Sequence, residues 1–384
     1  MKKEVRVIVC IAVAVLMCFA LAACGGGGQT ATPAPEPAAP SDNSPAPAPD
    51  VDASGDDTVY PMEVAVTLGL EVSPNWNRIL KEELEAKSNG RFKVNINWAG
   101  SLLAIPEIPE SMKAGIAEFT NLPTPNYPDK LPLNTRIAQM PFMGMQDPVE
   151  SAEIWMQLYD EFPEMQQEME NWNMKVLGAT TLGMYGIHTN SNSKEIRKPS
   201  DLKGLKIVPY STVLNPAFEK NGAVVSYIPP NEIATSLSTN AQDGYVNNWA
   251  FQGWFGLTDY VKQHVEFGDY GMFQEFNLLI VNKSWFDALP ADMQQMLNES
   301  IRTDKGYADM WKDTLDLVNN QKELAKAKDD LMFTLTPEEL ELWKTEILPA
   351  QQMVLDEING IRGDDAATRI YERCKEIIAQ KYGA

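Results

Sequence analysis

From Tyr60 onward, short runs of alternating apolar and polar residues are separated by longer stretches with the spacing of amphipathic helices. Glu63-Val64-Ala65-Val66-Thr67 reads as a strand. Ser73-Pro74, an N-cap followed by proline at the first helical position, opens a helix to about Lys87. Asn89-Gly90 is a turn, and Phe92 to Asn97 alternates as a second strand. A helix from about Pro106 to Ala114 leads to the strand Ala117 to Asn121. A longer helix from about Pro148 to Asn171 precedes the strand Met174 to Leu177. This β-α-β alternation predicts a largely parallel sheet with helices on both faces.

A second alternation follows. Leu205 to Val208, Val224 to Tyr227 and the run beginning Asp243-Gly244-Tyr245-Val246 read as strands, with helices at Leu214–Asn221 and Asn231–Thr239 between them. After the strand Phe276 to Val281 the pattern is almost wholly helical to Ala384, and no proline interrupts it between Pro290 and Pro337. Two α/β units and a long helix point to an α/β fold of two lobes with a ligand cleft between them.

The N-terminus has a different character. Lys2, Lys3 and Arg6 precede an unbroken apolar run from Val7 to Ala23, which ends in Leu21-Ala22-Ala23-Cys24. Small residues directly before a cysteine resemble the lipobox of bacterial lipoproteins, which implies a signal peptide over residues 1–23 and a lipid on Cys24. An uncleaved membrane anchor is the alternative, but Gly25 to Gly28 continue a membrane helix poorly. Residues 24–58 are then the lipidated cysteine and a tether rich in Ala, Pro and Gly. Its reach is up to roughly 100 Å at about 3.1 Å per residue.

The formal charge of −21 becomes about −23 without the signal, which carries three basic residues and one acidic residue. Such an excess argues against nucleic acid, whose phosphates require clustered Lys and Arg, and against adhesion to anionic headgroups. Of the four cysteines only Cys374 lies beyond the lipobox, so no disulfide is expected within the mature body.

Several segments carry a family resemblance. They include Lys198-Pro199-Ser200-Asp201-Leu202-Lys203-Gly204-Leu205-Lys206-Ile207, Asn221-Gly222-Ala223 and Pro229-Pro230-Asn231-Glu232-Ile233. Asp243-Gly244 and Asn282-Lys283-Ser284-Trp285-Phe286-Asp287-Ala288-Leu289-Pro290 follow in the same order. Together they resemble the substrate-binding proteins of tripartite ATP-independent periplasmic (TRAP) transporters, of the C4-dicarboxylate-binding type, over essentially Val59 to the C-terminus. The resemblance implies a periplasmic-binding-protein fold, with two α/β lobes crossed by a long helix and closing over one small-molecule solute. It also implies delivery to membrane permease subunits. The expected lobes are 59–184 with about 279–320, and 185–278 with about 321–384; the expected form is a monomer, without cofactor or metal.

One departure bears on the ligand. The family normally carries an arginine directly after the isoleucine of Lys206-Ile207, where its guanidinium grips a carboxylate bidentately. Here Val208 follows, then Pro209-Tyr210-Ser211, and the spacing to Phe218 and Gly222-Ala223 is about one residue short, so the arginine is either replaced or deleted. Closing an ionised carboxylate into a dry cleft without a cation costs several kcal/mol. The site is therefore expected to take a neutral or cationic solute, or to draw positive charge from elsewhere, with Arg78 and Arg136 as candidates. The candidate ligand residues are Glu71, Trp76, Tyr185, His188, Tyr210, Asn247 and Trp249. Asn247 falls where relatives often carry a ligand-touching asparagine. Aromatic walls with amides suit planar or cationic solutes. Packing between lobes is the competing reading for the aromatics, and a structural role is the competing reading for His188.

An enzyme is not expected. The two histidines, His188 and His264, stand far apart in sequence with no cysteine or serine motif beside them. No H-E-x-x-H, P-loop or G-x-G-x-x-G signature occurs. A ligand sensor that signals to a membrane receptor is the alternative within the same architecture, and an ABC-type binding protein is a third reading.

Overall fold

One strand, Met174–Thr189, is 16 residues long and sets the architecture. The computed structural model describes residues 58–67, 76–145, 147–191, 193–268 and 271–383. In chain order the strands are β1 (Tyr60–Ala65), β2 (Phe92–Asn97), β3 (Phe119–Pro123), β4 (Met174–Thr189) and β5 (Lys206–Val208). They continue with β6 (Val224–Val225), β7 (Gly244–Asn248), β8 (Gln263–Glu266), β9 (Gln274–Asn282) and β10 (Leu331–Thr334). The main helices are α1 (Trp76–Lys87), α2 (Ile108–Lys113), α3 (Pro148–Glu161), α4 (Pro163–Glu170), α5 (Asn215–Lys220) and α6 (Ile233–Ser238). After them come α7 (Trp249–Trp254), α8 (Lys283–Ala288), α9 (Ala291–Ile301), α10 (Asp304–Ala327), α11 (Pro337–Arg362) and α12 (Ala366–Tyr382).

The strands run in the order β2-β1-β3-β9-β4-β7-β5-β6, with β8 pairing β4 and β10 pairing β8. Pairing within each lobe is parallel: β1 with β2 and β3, β5 with β6 and β7. The central pairs are antiparallel, β9 with β3 and β4, and β4 with β7 and β8. The expected largely parallel sheet is therefore mixed. Helical crossovers keep neighbours parallel inside a lobe, but β4 carries the chain out of the first lobe and β9 carries it back, in opposite directions.

The first core gathers β1–β3, α3, α4 and the first part of β4, and the second gathers the latter part of β4, β5, α5 and Trp343 of α11. A third, smaller cluster holds Val208, Tyr210, Ile233, Tyr245 and Phe251. The helix α10 packs against β4, α1 and α3 on one side and against α7 on the other, so it crosses both lobes. Val354 to Ile378, expected in the second lobe, pack in the first core; α12 buries Ile370, Cys374, Ile377 and Ile378 and lies against α3.

The helix expected to run from 148 to 171 is divided into α3 and α4 at Pro163, which lacks the N–H that a continuous helix requires. Asp147 caps α3 by accepting from the N–H groups of Val149 and Glu150, at 2.9 Å each. The segments that carry the family resemblance are likewise turn and cap devices. Asp201 Oδ2 accepts from the backbone N–H groups of Arg197 and Lys198 at 3.1 and 3.0 Å. Asn282 Oδ1 caps α8 through Trp285 N–H at 3.0 Å, while its Nδ2 donates to Met112 O at 2.7 Å.

Candidate functional site

The register of β9 builds one wall of a cleft. Asn277 stands opposite Pro123 of β3 and Thr180 of β4. Side chains alternate along a strand, so Glu275 shares the face of Asn277, and Asn121 shares that of Pro123. Phe276 points the other way and stacks on Trp155, with 5.1 Å between ring centroids. Between the pairs Thr181–Phe276 and Met184–Gln274 the register slips, leaving Leu182 and Gly183 opposite Glu275 alone. This is a bulge, a device that re-aims a strand, and Gly183 adopts φ +98° within it.

The facing wall belongs to the second lobe. Beyond β5, Tyr210 takes φ +48°, a conformation seldom held by an aromatic residue. Its ring packs 5.1 Å from that of Phe251, and its Oη donates to Ile228 O at 2.9 Å. β7 delivers Asn247, and α7 delivers Phe251 and Trp254. Met310 and Thr314 of α10 close the floor. Together these residues enclose a cavity of about 90 Å³. Two larger hollows, about 340 and 290 Å³, flank Gly268 and Gly271.

The charge in the cleft is one-sided. Glu275 is 4% exposed, and among the described residues its carboxyl has no hydrogen bond or ion pair. Burial pushes it well above the ordinary carboxylate range. No Arg, Lys or His is among the described residues that line the cavity. Asn121 Oδ1 and Asn277 Oδ1 are buried without a partner. Asn247 Oδ1 accepts from Asn248 N–H at 2.8 Å, which leaves its Nδ2 as the donor for a ligand.

Of the expected ligand residues, Tyr210 and Asn247 lie in this wall. Tyr185 is stacked on Phe273 at 4.3 Å and, with Trp249, borders the 290 Å³ hollow instead. Trp249 Nε1 donates to Glu266 Oε1 at 2.9 Å, and its ring stacks on His264. His188 stands behind Asn247, donating from Nε2 to the Asn247 carbonyl at 3.1 Å, the structural role that competed with ligand contact. None of the three lines this cavity: β4 turns Tyr185 into the second core and His188 against β8, and Trp249 is held against β8 by Glu266 and His264. Glu71 and Cys24 lie outside the described residues, as does the Trp76 side chain. Neither candidate arginine reaches the cavity: Arg78 lies over Trp98 at 5.7 Å, and Arg136 pairs with Glu357 at 2.8 Å. Val208, which directly follows Ile207, is fully buried in the third cluster.

Glu275, Asn121 and Asn277 escape a sequence reading. The apolar run that marks β9 begins at Phe276, which leaves Glu275 outside the expected strand. The alternation Glu275-Phe276-Asn277 is the signal that would have found it.

Two lobes, joined by two strands and a crossing helix, wall one cavity, the arrangement of a small-molecule binding protein. The chain matches the family described as bacterial extracellular solute-binding protein, family 7, over residues 77–357, and it belongs to that family. It is 28% identical over 228 residues to a solute-binding protein of Verminephrobacter eiseniae, covering 58% of this chain and 64% of that protein. It is 26% identical over 193 residues to the C4-dicarboxylate-binding periplasmic protein DctP of Rhodobacter capsulatus, covering 49% and 56%. The matched region thus spans less than two thirds of these curated relatives.

Among solved structures, a TRAP solute-binding protein of Rhodoferax ferrireducens with copurified benzoate superposes with a TM-score of 0.74 at 18% identity, covering 85% of this chain and 100% of that one. A marine metagenome TRAP protein specific for aromatic acids, bound to 3-hydroxybenzoate, gives 0.73 at 21% identity, covering 84% and 99%. The two-lobe periplasmic-binding fold is therefore shared with them.

Proposed function

We propose that this chain is the solute-binding protein of a TRAP-type secondary transporter, capturing a small organic solute outside the cytoplasm and handing it to membrane permease subunits. The observation that carries this reading is the cavity walled by β9 and β3 from one lobe and by Tyr210, Asn247 and α7 from the other. A solute that touches both walls binds the closed form more tightly than the open one, and only that difference can drive closure. Family membership supports the reading, as do relatives crystallised with organic acids.

The ligand differs in charge from those acids, because a cavity with a carboxyl and no cation disfavours a simple carboxylate. The protein binds and releases its solute without turnover. It works as a monomer, held at the membrane by a lipid on Cys24 and a Pro/Ala tether that gives the body reach. No described helix is long and apolar enough to cross a membrane.

The test is a thermal-shift screen of the full chain against matched acids, alcohols and amines, followed by small-angle scattering with each hit. A ligand at a hundred times its dissociation constant adds roughly 2.7 kcal/mol, a clear rise in melting temperature. A rise accompanied by compaction supports capture by closure. Tight binding without compaction, or chemical conversion of the hit, overturns it.

A further inference from the structure

Resting on that reading, we propose that the solute is a small organic cation, an amine whose ammonium group pairs with the Glu275 carboxylate opposite the β4 bulge. Glu275 is the sole Asp, Glu, Lys, Arg or His among the described residues of the cavity wall. Around it, β3 presents Asn121 and Pro123, β4 presents Thr180, and α10 presents Met310 and Thr314. The remaining titratable group, Tyr210, donates its proton to Ile228 O and is held in its neutral form by burial. No Lys, Arg or His is among the described residues of the wall, so the carboxylate form of Glu275 takes its charge partner from the ligand.

The acceptors fit the chemistry of that partner. An ammonium carries three N–H donors, and the wall offers the Glu275 carboxylate with Asn121 Oδ1 and Asn277 Oδ1, both lacking a donor. Rotating either amide would exchange acceptor for donor, so the carboxyl carries the argument. Across the cavity, Tyr210, Phe251 and Trp254 present aromatic surface, which attracts a desolvated cation. A carboxylate solute meets the opposite situation, since no Arg, Lys or His is among the described residues that line the cavity. Size narrows the class further. An apolar cavity of about 150 Å³ accommodates benzene, whereas this one is about 90 Å³. In this conformation the site suits a short-chain amine.

The proton balance follows. In the empty cavity burial keeps Glu275 protonated well above the ordinary carboxylate range. When the ammonium binds, the carboxyl releases its proton to solvent and the ion pair forms without change to the amine. Affinity therefore rises with pH up to the ligand-free value of Glu275.

The experiment is titration calorimetry of the full chain with n-propylamine, n-propanol and propionate, in two buffers of different ionisation heat. The expected result is binding of propylamine with release of up to one proton per site, and at least tenfold weaker binding of the other two. Glu275→Gln keeps the shape of the neutral carboxyl, so its melting temperature should be preserved while amine affinity falls about thirtyfold or more. The proton release is measured on the unaltered protein and needs no variant. If propanol or propionate binds more tightly than the amine, or E275Q binds propylamine as well as the parent, the inference is overturned while solute capture stands. If no probe and no compound of the wider screen binds, both fall together.

Discussion

The Nδ1 atoms of His188 and His264 lie 2.8 Å apart, a cross-strand pair at the β4–β8 junction. His188 uses its Nε2–H on the Asn247 carbonyl, so its Nδ1 is the acceptor and His264 Nδ1–H the donor. A proton added to His188 would set two N–H groups against each other. Desolvation lowers His188 to about 4, and desolvation with the neighbouring ring lowers His264 as well.

The pair therefore stays neutral at pH 6, where a free imidazole is largely charged. Because the folded values lie below the unfolded one, the pair's contribution to stability is intact above about pH 6.5 and is lost as pH falls toward 4. These are the two histidines of the chain, so imidazole resonances by NMR report on them without overlap. Protonation of either ring at pH 6 in the folded protein would contradict the assignment.

An arginine placed directly after Ile207 should not confer carboxylate binding. Val208 is fully buried in the cluster that holds Ile233, Leu237 and Val261, and it is not among the described residues that line the cavity. Val208→Arg places an unpaired charge in that cluster and should cost several kcal/mol. The check is a denaturation midpoint together with propionate titration. A stable variant that gains acid affinity would show that the strand can turn outward.

Two glycines should respond oppositely to alanine. A Cβ on Gly186 would lie 2.4 Å from the Val265 carbonyl oxygen, so β8 would have to move away from β4; Gly186→Ala should cost about 3 kcal/mol. A Cβ on Gly360 in α11 meets nothing within 4 Å, and Gly360→Ala should stabilise by about 0.5–1 kcal/mol. Urea midpoints on both variants decide this, and equal effects would refute the local geometry.

For a solute from the screen that carries a hydrogen-bond acceptor, Asn247→Ala should weaken binding about tenfold, because it removes the Nδ2 donor, with a smaller stability loss from the unpaired Asn248 N–H. Calorimetry with the best ligand from the screen, beside a melting curve, separates the two effects. A large melting-point drop with unchanged affinity would make Asn247 purely structural.

The alternation of strands and helices was legible because each lobe repeats a local pattern, and β2 falls on its expected residues. The family segments were legible because capping residues such as Asp201 and Asn282 sit beside the turns they fix. The antiparallel centre was not, since strand direction between lobes depends on where the chain returns. Tyr210 and Asn247 were visible at strand ends, where side chains emerge into clefts. Tyr185, His188 and Trp249 were drawn in by their chemistry, and only register shows that they face other strands. Glu275 gains its meaning from burial and from the lack of a neighbouring cation, neither of which is written in nearby residues.

The continuity of β4 has a mechanical consequence. Its first half pairs with β9 and its second half with β7 and β8. Cutting the chain at the bulge would strip a strand from each resulting half and leave raw hydrogen-bonding edges on both. Neither half is a self-sufficient module to be expressed or exchanged alone. Unfolding should therefore be a single cooperative event, and engineers seeking new specificities should graft side chains into the cleft instead of swapping lobes.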